Sequence, residues 1–332
     1  MRITLLVAAA AVCAFAATAG AGTYSWDGGS SSTSSWQTAS NWRSDTIPPL
    51  TGNHDIHVRA ADLVGTTTTA NWDYSSSTAS YGLFDIVSNA SYAMTLQKSG
   101  AGSFTATGRL SLTGYSSTKV STLDADAAMT ITGLSVYSYG DVDVAASVTV
   151  DCNASMLVDA LNGITQCVKL GSGSLTPDWI SAMAGNAAGE HARLLVAGGT
   201  FAASGTSPSL TVEAADTVDA DATLEFDAGT LTPVQLNIYG GNPSSGGLAL
   251  FDFDGGTLSG LDRLAMVGLS TIDAEDDITV NGELVVTVNG GDNFATEATL
   301  DAQDVSVEKI EVGGSQACKL IVTGNVATDG SP

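Results

Sequence analysis

The chain has 332 residues, with 35 Asp and Glu against 11 Lys and Arg, a formal net charge of −24 and a pI near 4.1. Cations this few and scattered exclude a nucleic-acid binder working through a basic face, because phosphate contacts need clustered Lys and Arg. Only 14% of residues are charged and 44% are hydrophobic, which excludes an acidic disordered tail, and the 37 glycines among abundant Ser, Thr, Val and Asp suit short strands and tight turns.

Met1-Arg2 is followed by an apolar run from Ile3 to Ala17 and by two A-x-A patterns, Ala17-Thr18-Ala19 and Ala19-Gly20-Ala21. This pattern predicts a secretory signal peptide over residues 1–21, cleaved after Ala21, and a mature protein that is extracellular or at the cell surface. The run is too short to span a bilayer, so no membrane insertion of the mature chain is expected. Loss of Arg2 leaves the mature protein one charge more acidic. Secretion also changes how the cysteines read: Cys13 leaves with the signal, and Cys152, Cys167 and Cys318 remain. Cys152 and Cys167 form a candidate disulfide, with buried free thiols as the alternative.

The mature N-terminus carries the most specific local signal. Trp26-Asp27-Gly28-Gly29, then Trp36, Ala39-Ser40-Asn41-Trp42, Ile47-Pro48-Pro49 and Gly52 lead into a strand from His54 to Val58. The arrangement resembles the W-x-G-G…W…A-x-N-W…P motif that opens many secreted bacterial β-solenoid proteins of the autotransporter-passenger-like and surface-repeat types. The resemblance covers Thr23 to about Val58 in detail. It implies an aromatic N-terminal cap with its first strand over residues 22–60, and a structural or adhesive role at the cell surface. Trp26, Trp36 and Trp42 read either as the core of that cap or as a carbohydrate-stacking platform. His54 and His57 are three apart on a strand, so they point to opposite faces and make a poor metal pair.

From residue 61 onward, alternating strands separated by Gly, Asn and Asp turns dominate, as in Gly108–Gly114, Met129–Gly133, Thr279–Asn289 and Lys319–Gly324. A Gly-[Thr/Ser]-[Leu/Phe] motif occurs at Gly102, and again from Gly173 through Gly199 and Gly229 to Gly256 in steps of 26, 30 and 27 residues. An aliphatic-Asp-Ala motif occurs at Asp124, Asp219, Asp273 and Asp301, the last two 28 residues apart. Two motifs sharing one period predict an all-β fold, a right-handed parallel β-helix or β-solenoid with irregular coils of about 27 residues over 61–332. The alternative is a tandem pair of β-sandwich domains joined near residue 200. Thr176-Pro177-Asp178-Trp179, followed by Ile180, Met183 and Ala184, reads as a capped helix, and Ser155–Leu161 as a further helical turn, giving an irregular or helical insertion near 153–190.

Stacked Asp-Ala positions would form carboxylate rows, which repel unless a hard cation such as Ca²⁺ bridges them, so Asp219, Asp221, Asp273, Asp276, Asp277 and Asp301 are the candidate calcium ligands. No other cofactor is expected. The N-T-D, G-H-G and R-x-K segments of β-helix pectinases are missing, as are G-x-S-x-G, P-loop and HExxH motifs, so no catalytic residue is assigned. The resulting expectation is a secreted structural or adhesive surface protein without its own catalysis; the alternative is a carbohydrate-binding or polysaccharide-degrading β-helix. Expected partners are polysaccharide or other surface components, and an end-to-end or C-terminal partner domain, because the chain reads either as a C-terminally truncated fragment or as a stack whose last coil a partner caps.

Overall fold

A computed structural model describes residues 22–160, 163–185, 187–203, 208–287, 295–314 and 316–328. The expected signal segment lies outside these residues. The described chain is a right-handed parallel β-solenoid of about ten coils with a mean step near 26 residues. Its clearest signature is a column of inward side chains running Tyr24, Ile56, Phe84, Leu110, Leu134, Met156, Ile180, Leu210, Leu236, Leu264, Leu284 and Ile310, each in register with the next. A coil cannot bury its own apolar face, and stacking at about 4.8 Å per coil buries it against its neighbours while pairing the backbone.

Each full coil has three faces. One is a sheet of eleven strands running from Thr69–Trp72 to Cys318–Val322. The other two share long strands, such as Ser103–Thr113, Thr149–Ala160 and Ile278–Thr287, whose pairing register breaks in the middle where the chain turns a corner. Coil length varies at the corners, while the strands keep period 2, so every coil still turns its apolar set inward.

The Gly-[Thr/Ser]-[Leu/Phe] repeats stack as their spacing predicts: Ser174, Thr200, Thr230 and Thr257 form one row, and Leu175, Phe201, Leu231 and Leu258 the inward row beside it. Gly199, Gly229 and Gly256 precede them with φ of 74°, 103° and 95°. A Cβ on Gly229 would lie 2.1 Å from the Gly199 carbonyl oxygen, so both the backbone conformation and the close approach of the preceding coil require glycine.

Two expectations are corrected. The tandem sandwich fails because all pairings between the described strands are parallel and the Leu175–Phe201 contact carries the stack straight through residue 200. The helical insertion fails as well: Thr149–Ala160 and Ser174–Ala184 are strands, whereas Leu161 and Asn162 lie outside the described residues. Pro177 sits opposite Cys152 at the corner, where the register shifts, so a missing N–H is tolerated there. Beyond it Ile180 and Ala182, not Ile180 and Met183, face the core. Helical structure among the described residues is confined to the 3-10 turns Ala39–Asn41, Arg43–Asp45 and Ala60–Asp62, and none is long and apolar enough to cross a membrane.

Candidate functional site: a row of stacked carboxylates

The expected ligand positions separate into three places. Asp273 and Asp301 stack in register on the outside of the eleven-strand face. Asp276 and Asp277 lie exposed in the turn beyond Asp273. Asp219 and Asp221 lie in the turn before the strand Ala222–Phe226, beside His191, so the row that the Asp-Ala motif predicts does not include Asp219. Asp124 meets Asp143 in a shorter stack next to Gln97.

The Asp273–Asp301 pair is half of a longer row: Glu225 stacks on Asp252, and Asp252 on Asp273. Four carboxylates on successive coils therefore project from one face at strand spacing. Arg193 closes one end with a two-pronged contact, its Nε donating to Glu225 Oε1 at 2.7 Å and its Nη2 to Oε2. At the other end the Thr323 hydroxyl donates to Asp301 Oδ1. Partial burial first, then hydrogen bonding to Asp254, then the charges of Asp254, Asp273 and Glu225, push Asp252 up to about 6. Burial, with the charges of Asp126 and Asp143, likewise raises Asp124.

The sign of the consequence is fixed. The folded protein holds the Asp252 proton to higher pH than the unfolded chain, so this group's contribution to stability falls as pH rises from about 4 to about 6. Asp252→Asn is expected to stabilise the protein at pH 7 by about 1 kcal/mol, discounted for solvent screening, and to change nothing at pH 4; urea unfolding at the two pH values measures both. Equal midpoints at pH 7 would remove the repulsion argument. The row offers only oxygen donors, the ligand type that Ca²⁺ takes, but among the described residues no three of its carboxylates bring ligand atoms within 4.8 Å of one another, so it stands as stacked pairs.

The cap tryptophans do not form a sugar platform. Trp26, Trp36 and Trp42 are all buried, the rings of Trp36 and Trp42 meeting edge-on at 4.5 Å and those of Trp26 and Trp42 at 5.3 Å. With the three rings packed against one another, and Trp36 also against Tyr81 and Phe84, they have no surface left for a ligand. Buried Asn41 ties the cap loops together, accepting from Ser30 N and donating to the carbonyls of Thr33 and Ser35. The expected disulfide is also corrected: Cys152 and Cys167 are free buried thiols on different faces of the coil, and burial pushes Cys152 up to about 11 and raises Cys167 further. His54 is buried and accepts from Gly22 N at 3.1 Å, while His57 faces outward near Asp85.

No family model matches the chain, and neither a curated protein nor a solved structure matches it.

Proposed function

We propose that the chain is a secreted structural or adhesive surface protein, its mature part beginning at Gly22, which presents long rows of Thr, Ser and acidic side chains on a rigid rod and carries out no chemistry of its own. The observation that carries this reading is the unbroken stack, with an N-terminal end filled by its own aromatic residues. In such a build the core supports the outer rows, and the rows offer a repeating surface. The test is expression of the full chain in a Gram-negative host. The expected results are protein outside the cytoplasm beginning at Gly22, retention when residues 1–21 are deleted, and no new reducing or unsaturated ends from acidic polysaccharides. Such ends, or cytoplasmic protein that keeps Met1, would overturn the reading.

One observation favours the carbohydrate alternative. Trp179 is 43% exposed, next to the corner between two faces, where an indole is open to stack on a sugar ring. Under that reading a glycan array gives signal that Trp179→Ala abolishes; a blank array, or signal indifferent to the substitution, removes it.

A further inference from the structure

His191 has no Cys or His near it in sequence, yet the coil geometry gives it two acidic neighbours. It opens the strand His191–Val196, and its ring lies against the turn one coil later, with Nδ1 3.6 Å from Asp221 Oδ2 and Nε2 3.7 Å from Asp219 Oδ1. Among the described residues, this is the group of His and acid side chains whose ligand atoms all lie within 4.8 Å of one another.

Both gaps are too long for hydrogen bonds, whose heavy atoms approach to about 3 Å. One ring nitrogen meets one ion, so only the gap from Nδ1 to Asp221 can be the edge of a metal tetrahedron: ligand bonds of about 2.1 Å open at the tetrahedral angle place neighbouring donors about 3.4 Å apart. Asp221 is set up as one ligand, because Leu248 N, from the coil beyond, donates to its Oδ1 at 2.7 Å and leaves Oδ2 toward the ring. The turn itself is fixed by Ala192 N donating to Asp221 O at 3.0 Å and by Gly189 N donating to Asp219 O at 2.7 Å. With Nδ1 given to the ion, Nε2 is left facing Asp219 at 3.7 Å, and a small shift of the exposed Asp219 side chain would supply the carboxylate partner that fixes the ring's tautomer.

We infer that His191 and Asp221, assisted by Asp219, bind a divalent transition ion of the Zn²⁺ class that clasps two successive coils together. Imidazole nitrogen selects such an ion over Ca²⁺, which takes oxygen ligands, so the site is distinct in chemistry from the carboxylate row. The competing arrangement is an imidazolium held between two carboxylates, which binds no metal.

The test is calorimetric titration of metal-free, tag-free secreted protein with zinc chloride, paired with the visible spectrum of the cobalt form. The expected result is one ion per chain at micromolar affinity, weakened at least about tenfold by His191→Ala and by Asp221→Asn. Cys318→Ser and Asp273→Asn are expected to leave binding intact, millimolar Ca²⁺ not to compete, and the cobalt spectrum to lack a thiolate band. Absence of binding, binding indifferent to His191→Ala, or binding lost on Cys318→Ser or Asp273→Asn would each overturn the inference. A His191→Gln variant with an unchanged metal-free urea midpoint guards against misreading a folding defect as a lost ligand.

Discussion

Replacing Trp42 with Ala is expected to lower stability by about 4 kcal/mol, near the top of the range for removing one side chain. Trp42 is almost fully buried, its Nε1 donates to the Trp36 carbonyl at 2.8 Å, and its ring touches both Trp26 and Trp36. It also forms the antiparallel bridge with Trp26 that folds the first loop back over the stack. In a solenoid each coil is stabilised by its neighbours, so an uncovered first coil frays and passes the loss inward. Urea unfolding followed by tryptophan emission measures the effect. Trp42→Phe is expected to lose less, because it keeps the edge-on contacts and gives up chiefly the indole hydrogen bond. A Trp42→Ala midpoint equal to that of the parent would mean that the cap covers nothing of consequence.

The second large effect is expected at Lys169, whose side chain is fully buried. Its ammonium donates to three carbonyls at one corner, Gly171 O at 2.9 Å, Gly173 O at 2.8 Å and Gly198 O at 2.6 Å. Gly173 O also accepts from Thr200 N at 3.2 Å, so in Lys169→Met that carbonyl keeps a donor while those of Gly171 and Gly198 lose the ammonium. The substitution is expected to destabilise by about 3 kcal/mol at pH 7. Burial lowers Lys169 to about 8, with Asp143 opposing the shift. The folded protein then releases the proton before the unfolded chain does, so this group's contribution to stability grows as pH rises from about 8 toward 10.5, the ordinary lysine value. Urea midpoints at pH 7 and 9.5 check both points, since the rise should be present in the parent and missing in Lys169→Met. A variant as stable as the parent at pH 7 would show that the corner carbonyls need no amine donor.

The stack was legible in the sequence because its corner is demanding. Only glycine tolerates the left-handed turn before Thr200, Thr230 and Thr257, so the motif had to recur at coil spacing. Pro177 misled because Thr-Pro-Asp-Trp carries every local mark of a helix start, and nothing local says that Cys152 waits opposite to make it a corner. The acidic row was half visible. Asp273 and Asp301 share an Ala after the acid, but Glu225 and Asp252 are followed by Phe, and the signal that unites the four is an acid between two inward apolar residues, as in Leu224-Glu225-Phe226 and Phe251-Asp252-Phe253. Asp219 carries the Asp-Ala motif in a turn, which only the fold distinguishes from a strand end. The buried lysines also had a signature, K-x-G-x-G-S followed by Phe or Leu at Lys98 and Lys169, in which the amine precedes the carbonyls it will meet. The pairing of His191 with Asp219 and Asp221 had none, because it depends on the length of one coil.

Because the described strands pair with their equivalents on neighbouring coils, the backbone bonds between coils lie along the length of the rod. A pull on the two ends loads them in tension and opens one coil at a time, whereas a sideways push must shear many at once. Each coil that opens releases about 26 residues, roughly 85 Å of extended chain in place of about 5 Å of rod. Held at one end and dragged at the other, such a molecule lets out length in steps and keeps the coils beyond the break intact.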